Sequence, residues 1–429
     1  MKELLFALYL FAGIAILAWG FLRSRRMLQF PFLAASVFMG WMFPQLLGLS
    51  GYDNWPRGAL EKTTAMAALC MIGCWAGYTL NRRRSKLFDW DLDRRRLLLA
   101  SAVLSGSGMV FHYMVNQMAP EVIAQHGGQW TGIITIYAFF SRLLAVGFCI
   151  ALVLHLDRSS RATLVLLFLG FIIYLHRILI LGRRAATVEL VLMVLLALWF
   201  QRRWIPPRGL MATVLIVGTL LVNSAGDYRN TMLGDDRHSW SGAGLEAILD
   251  IDYLGNLKRI SEGRQGNHEL SNALYEIEAA DRTLQFDYGL SLWNGFVQQF
   301  VPGQMVGVEI KAALQLDRQG NAESVFGHVA HTGTTLTGIT DAFQSFWFFG
   351  AIKFMLIGFI MSRWWRAAEA GNRAAQIILM LCVTASLHAI THSTNRFFMA
   401  FFELAVFVVP AFLYARISRQ PSSLEPMRV

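Results

Sequence analysis

Long apolar runs recur along this chain, and they constrain its fold more than any other feature. Several runs of about 20 residues carry almost no charge, which is the length that a helix needs to cross the ~30 Å hydrocarbon core of a bilayer. A backbone in lipid must satisfy its own hydrogen bonds, so runs of this length predict helices. A transmembrane barrel would show alternating segments of about ten residues instead. The sequence therefore predicts an all-α polytopic integral membrane protein.

Eleven transmembrane helices can be threaded through these runs. They cover residues 4–22, 30–49, 59–80, 97–118, 131–156, 162–181, 185–200, 209–224, 342–361, 374–390 and 397–414. The predicted organisation is a membrane domain at 1–224 with eight spans, a large loop at 225–341, and a membrane part at 342–429 with three spans and a tail.

Short basic clusters between the spans orient the chain. Arginines follow every odd-numbered span, beginning with Arg23, Arg25 and Arg26. Because cytoplasmic loops are enriched in Lys and Arg, we expect the odd-numbered spans to end in the cytoplasm. The N-terminus is then expected on the outer side and the C-terminus in the cytoplasm. The net charge of +10 follows from these clusters and does not indicate a nucleic-acid partner.

The loop at 225–341 is expected on the outer side and is acidic, with sixteen Asp and Glu against eight Lys and Arg. Apolar residues recur at helical spacing in 244–260, 271–284 and 290–300. The last stretch stops at Pro302-Gly303, which is a typical helix-stop signal. These patterns predict amphipathic helices that lie on or between the ends of the spans. A loosely ordered loop is the alternative.

One basic cluster breaks the topology pattern. Gly182-Arg183-Arg184 joins the sixth and seventh spans on the side expected to be external, and His176 and Arg177 lie shortly before it. Cations in or against a membrane are costly, so they need a reason. Two interpretations are open. The arginines extend to lipid phosphates, or their guanidinium groups hold the phosphates of a substrate in bidentate contacts.

Further cations are expected on the same side. Arg229 follows the eighth span, and Arg396 lies in a short turn between the last two spans. Arg142 and Lys353 lie inside the fifth and ninth spans. We predict that several of the outer arginines converge on one anion-binding mouth.

A stretch rich in glycine and threonine, 327–338, precedes the ninth span and contains His328 and His331. Histidine titrates near neutral pH and can accept a hydroxyl proton. A structural loop is the alternative for the whole stretch. Asp341, at the start of the next helix, suits an N-terminal cap as well as a base. The two histidines lack a supporting metal-ligand set, so neither a metal nor another cofactor is expected.

Nucleotide-dependent and soluble-enzyme signatures are missing from the sequence. It contains no GxGxxG beside a strand, no GxxxxGK[ST] and no GxSxG. All four cysteines lie within apolar runs, where no disulfide or zinc spacing is visible.

The chain resembles the bacterial O-antigen and exopolysaccharide repeat-unit polymerases of the Wzy type, which are membrane-embedded glycosyltransferases similar to the GT-C class. The features that carry the resemblance are Gly182-Arg183-Arg184 between two spans, the large loop with Tyr288-Gly289 and a helix ending in Phe300-Val301-Pro302, and the stretch 332–338 followed by Asp341-Ala342-Phe343 and by 346–350.

The resemblance implies an enzyme of the bacterial inner membrane that works at the periplasmic face. Such enzymes transfer a growing glycan from undecaprenyl diphosphate to a new lipid-linked repeat unit, without a nucleotide sugar or a metal. Its partners would be the lipid-linked oligosaccharide, the bilayer and a regulator of chain length.

The resemblance also implies roles for individual residues. The diphosphate would be bound by Arg177, Arg183, Arg184 and Arg396, with Arg229 stabilising the charge of the leaving group. His331 would activate the acceptor hydroxyl, with Asp341 and Glu309 as alternatives, and His328, Thr334 and Thr335 would contact the acceptor sugar.

Two other functions remain open at this stage. An O-antigen ligase would use the same donor and a different acceptor, lipid A core. Ligases are described with a histidine and a glycine eleven positions later, whereas Ile339 and Ala342 occupy those positions here. A transporter of lipid-linked oligosaccharides would be expected to show two related halves with broken helices. No such halves are evident in the sequence.

Overall fold

The computed structural model describes residues 1–52, 54–81, 83–125, 132–232, 248–263, 269–301, 303–316, 322–330 and 335–417. These residues form α-helices, short π-helical and 3-10 turns, and an isolated β-bridge between Leu92 and Arg416. The prediction of an all-α polytopic membrane protein is confirmed.

Ten helical stretches in the described part of the chain are long and apolar enough to cross a membrane. They are α1 (Lys2–Leu22), α2 (Phe30–Val37) with α3 (Phe43–Ser50), α4 (Ala59–Leu80), α5 (Arg94–Gln125), α6 (Ile133–Phe140) with α7 (Leu143–Asp157), α8 (Arg161–Leu175), α9 (Arg184–Arg202), α18 (Gly338–Phe346) with α19 (Ile352–Glu369), α20 (Arg373–Thr391), and α21 (Asn395–Glu403) with α22 (Val409–Ala415).

The eighth predicted span is the exception. It forms the apolar helix α10 (Arg208–Asn223) of 16 residues. At 1.5 Å per residue this helix is about 24 Å long, shorter than a bilayer core of about 30 Å. The ten long stretches and α10 correspond in order to the eleven predicted spans.

Successive helices run in opposite directions, so their ends collect at two faces. At one face, Arg203 Nη2 donates a hydrogen bond to the carbonyl of Glu369 at 3.1 Å. We call this end the basic face, because the arginine clusters that follow the odd-numbered spans lie there. At the opposite end, Lys2 Nζ donates to the carbonyl of Ser50 at 2.7 Å. We call this end the loop face, because the polar loop lies there.

The described parts of the polar loop form seven short helices. They are α11 (Ala225–Met232), α12 (Tyr253–Ser261), α13 (Glu269–Thr283), α14 (Leu290–Phe300), α15 (Gly303–Val306), α16 (Val308–Leu314) and α17 (Ala322–Phe326). The predicted helices at 271–284 and 290–300 match α13 and α14. The predicted stretch 244–260 overlaps α12, and its first residues lie outside the described part.

The helix α13 anchors the loop to the bundle. Its apolar stripe is fully buried, with Leu270, Leu274 and Ile277 one helical turn apart on one face. On its flank, Lys62 Nζ of α4 donates to Glu278 Oε2 at 2.7 Å and also pairs with Asp281. Because both apolar and charged contacts hold α13 on α4, this part of the loop is a packed layer.

The ninth predicted span differs most from the structure. Its helix begins at Gly338, before the predicted boundary at 341, and α18 is joined to α19 by a 3-10 turn, Trp347–Ala351. A Cβ atom at Gly338 would lie 1.6 Å from the carbonyl oxygen of Ala389, so only glycine allows α18 to pack this closely on α20. This contact with α20 is the reason that the helix begins before the boundary predicted from the sequence.

Candidate functional site

Charged side chains from several helices meet beneath the loop face, within otherwise apolar stretches. We call this set the arginine cluster; it consists of Arg142, Arg177, Arg183, Arg184, Arg396, Glu189 and Glu403. Ionisable residues within membrane-spanning helices are costly and commonly mark functional sites.

Glu403 on α21 lies at the centre of the cluster. Its carboxylate pairs with the guanidinium of Arg142, which lies between α6 and α7. Gln299 on α14 donates a hydrogen bond to the same carboxylate oxygen at 3.2 Å. Arg396 and Glu189 are also among its electrostatic neighbours. One buried carboxylate therefore connects the loop helix α14 with charges from three membrane helices.

Arg177 and Glu189 form a second, looser pair. The Arg177 Nη1 atom lies 3.9 Å from Glu189 Oε2, and the guanidinium stacks over the ring of Tyr174 at 5.6 Å. The chain reverses direction through a π-helical turn, His176–Ile180, and Gly182, whose φ is +56°. Glycine tolerates this left-handed conformation without strain. The Arg183 amide donates to the Arg177 carbonyl at 3.1 Å and closes the turn.

Arg184 and Arg396 meet at His392. Arg184 is the first residue of α9, and its Nη1 atom donates to the carbonyl of Val222 at 3.0 Å. His392 follows α20 directly, and its Nδ1 atom lies 2.8 Å from the Thr391 hydroxyl. Burial, together with the positive charges of Arg396 and Arg184, lowers the pKa of His392 to about 4. The imidazole is therefore neutral at pH 7.

Two further histidines, His112 and His176, lie beside the cluster. His112 on α5 and His176 stack edge to face, with ring centroids 5.5 Å apart. The electrostatic neighbours of His112 include Arg177 and Arg183. The two arginines on either side of the Gly182 turn therefore act on one neighbouring ring.

The charge balance and depth of the cluster define what it can bind. Five arginines face two glutamates, so the cluster carries an excess of three positive charges when the histidines are neutral. Glu403 lies eight residues after the start of α21, which places it about 12 Å below that helix end at 1.5 Å per residue. Arginines bind phosphate oxygens strongly and in fixed geometry. A multiply charged anion fits this arrangement.

Part of the predicted site cannot be compared with the structure. His331 and Thr334 lie outside the described residues. The backbone of Arg229 belongs to α11, but its side chain is not described. Thr335 is described, and its hydroxyl donates to the carbonyl of Thr391 at 2.8 Å. The described end of the glycine- and threonine-rich stretch is therefore fixed beside His392.

His328 lies in a different setting from the arginine cluster. Its ring stacks on Tyr275 of α13 at a centroid distance of 4.1 Å, and Nε2 is 2.9 Å from Asn272 Oδ1. Both contacts belong to the packing of the loop against α13. This environment favours a structural role over the predicted contact with an acceptor sugar.

Asp341 belongs to a buried network that ties α18 to α19, α21 and α14. Its Oδ2 atom accepts hydrogen bonds from the backbone and hydroxyl of Thr394, and Oδ1 accepts one from Ser291 at 2.9 Å. Lys353 Nζ lies 3.4 Å from Oδ1. Thr337 occupies the N-cap position of α18, so Asp341 does not cap that helix. A carboxylate with these acceptor positions filled suits a structural role better than that of a base.

Glu309, the other predicted alternative base, lies in the first turn of α16 and is exposed.

Sequence analysis missed three members of this site, namely Glu189, Glu403 and His392. A signal for the two acids was present, since each lies inside an apolar run that was correctly predicted as a span. An acid in such a run implies a buried cationic partner. His392 gave no comparable signal, because only the folded structure shows that Arg184 approaches it.

No protein-family model matches this sequence, and comparisons with curated proteins and with solved structures gave no significant similarity.

Proposed function

We propose that the chain is a glycosyltransferase that polymerises lipid-diphosphate-linked repeat units into a surface polysaccharide. Its donor would be a glycan on undecaprenyl diphosphate, and its acceptor the sugar end of a second lipid-linked unit. The arginine cluster is the observation that carries this proposal, because its excess of positive charge suits the multiply charged diphosphate of a lipid-linked donor.

The chemistry requires little beyond charge and positioning. A hydroxyl of the acceptor sugar attacks the anomeric carbon of the donor glycan, the bond to the diphosphate oxygen breaks, and the lipid diphosphate leaves with the electron pair. Arginines that hold the diphosphate stabilise the charge that develops on it. The acceptor proton passes to a base, for which His331 remains the prediction.

The two faces of the bundle support the orientation in this proposal. The arginine-rich helix ends collect at the basic face, which by the positive-inside rule would be cytoplasmic. The loop face and the arginine cluster would then be periplasmic, in the inner membrane of a bacterium. Buried residues of α13 pack on the bundle, and Gln299 of α14 donates a hydrogen bond to Glu403 of the cluster. The loop would therefore cover the donor and place the acceptor.

A deletion strain of the host, complemented with variants, tests the proposed function. Arg184→Gln removes one cluster charge at the start of α9, and Arg202→Gln removes a charge at the other end of the same helix. We expect Arg184→Gln to leave single repeat units on the lipid carrier, while Arg202→Gln restores long chains. Protein levels in the membrane fraction establish that both variants are inserted.

The pattern of lipid-linked glycans in the deletion strain also separates the competing functions. A missing polymerase leaves single repeats, whereas a missing ligase leaves long chains on undecaprenyl diphosphate. Long chains stranded on the carrier, or normal chains with Arg184→Gln, would overturn the proposal.

A further inference from the structure

A cleft of about 260 Å³ opens at the basic face, at the opposite end of the bundle from the arginine cluster. Helices α1, α4 and α19 and the turn after α1 form its walls. Its chemistry-bearing residues are Trp19, Arg26, Tyr78, Trp365, Arg366 and Glu369. None of these belongs to the arginine cluster, so the cleft is independent of the proposed function.

Two residues in the wall of this cleft, Tyr78 and Trp365, each carry a buried hydrogen-bond donor without a partner among the described residues. The Tyr78 hydroxyl and the Trp365 indole N–H have no hydrogen-bond partner among the described residues. The two residues are only 5% and 3% exposed. A buried donor that makes no hydrogen bond costs about 1–3 kcal/mol. Two such donors in the wall of one cleft favour a ligand that accepts hydrogen bonds.

The charge of the cleft points to an anionic acceptor. Arg26 stacks over the Trp19 ring at 4.5 Å, and its Nη1 atom is 3.4 Å from the Trp19 carbonyl oxygen. Arg366 Nε is 3.4 Å from the Ser362 hydroxyl, and Arg366 is an electrostatic neighbour of Tyr78. Glu369 contributes one negative charge, which leaves the cleft with one net positive charge.

The position of the cleft distinguishes a lipid from a free anion. It lies where α1 and α4 end at the basic face, and the terminal residues of those helices, Leu22 and Leu80, are largely exposed apolar side chains. Apolar side chains at such helix ends face acyl chains in a membrane. A phosphate bound in the cleft would therefore lie at the depth of lipid headgroups.

We propose that this cleft binds the headgroup of an anionic phospholipid. Arg26 and Arg366 hold the phosphate, and the Tyr78 hydroxyl and Trp365 N–H donate to its oxygens. Basic pockets between membrane helices recognise acidic headgroups in this way.

Binding of phosphatidylglycerol to the purified full-length protein in neutral detergent tests the proposal. Native mass spectrometry and thermal unfolding report binding, and phosphatidylcholine and inorganic phosphate serve as comparison ligands. Phosphatidylglycerol should bind and raise the unfolding temperature, and Arg26→Gln or Arg366→Gln should weaken that binding about tenfold, as expected for loss of a charge-assisted hydrogen bond. Arg25→Gln is the matched control, because Arg25 is exposed beside Arg26 but does not line the cleft.

Tyr78→Phe separates ligand binding from folding. The hydroxyl has no partner among the described residues, so its removal should leave the stability of the lipid-free protein unchanged or higher and still reduce the lipid-induced shift. Equal binding of phosphatidylcholine, an equal shift with inorganic phosphate, or equal loss in Arg25→Gln would each overturn the proposal.

Discussion

Arg142 and Glu403 lie 261 positions apart in the chain, and their side chains form an ion pair. The pair is asymmetric, because the side chain of Glu403 is 11% exposed and that of Arg142 is 47% exposed. The carboxylate depends on its partner, whereas the guanidinium can turn toward water.

This asymmetry predicts unequal effects of the two single substitutions. Arg142→Met should lower the free energy of unfolding by about 3 kcal/mol, because it removes the cation that is paired with a buried carboxylate. Glu403→Gln should cost about 1 kcal/mol, since the amide still accepts from Gln299 and Arg142 stays solvated. The double variant should cost less than the sum of the two. Thermal unfolding in detergent measures all three, and equal, additive costs would contradict the arrangement.

Asp341 offers a test of structure against chemistry. Asp341→Asn removes the negative charge that faces the buried ammonium of Lys353. The Ser345 hydroxyl, at 2.7 Å, remains as a neutral partner. We expect the variant to lose about 3 kcal/mol of stability, and Lys353→Met in the same chain to recover part of the loss. Unfolding temperature and activity per folded molecule are the measurements. A stable Asp341→Asn protein without activity would instead identify Asp341 as the base.

The low pKa of His392 predicts how stability depends on pH. An unfolded histidine titrates near 6.5, whereas His392 in the folded protein titrates at about 4. Between these values the unfolded chain binds a proton that the folded chain does not, so stability falls as the pH falls from 6.5 to 4. The full effect is at most about 3 kcal/mol. This loss of stability is absent above pH 7, where His392 is neutral in both the folded and the unfolded chain.

His392→Gln should remove this contribution and flatten the stability profile between pH 6.5 and pH 4. Unfolding temperatures of the wild type and the variant at pH 5 and pH 7.5 measure it. Between pH 7.5 and pH 5 the unfolding temperature of the wild type should fall more than that of the variant. Parallel profiles would show that His392 is not held neutral by burial and the neighbouring arginines.

Local patterns predicted most of the helices but little of the contacts between them. The helix Leu290–Phe300 was predicted with both ends correct, because its apolar stripe stops at a proline. The start of α18 was not, because it depends on the contact of Gly338 with α20. For the site, the unusual position of Arg183 and Arg184 was visible in the sequence. Their relation to His392 and Glu189 was not, because it results from the packing of distant helices.

Direct binding of undecaprenyl diphosphate to the purified protein tests the central claim, that the arginine cluster is one anion site. Undecaprenol, which lacks the phosphates, is the comparison ligand, and Arg202→Gln is the control variant. Arg184→Gln and Arg396→Gln should each weaken diphosphate binding about tenfold. Glu403→Gln should strengthen it, because the excess of positive charge rises by one. Equal binding of undecaprenol, or unchanged diphosphate binding in both arginine variants, would contradict the account.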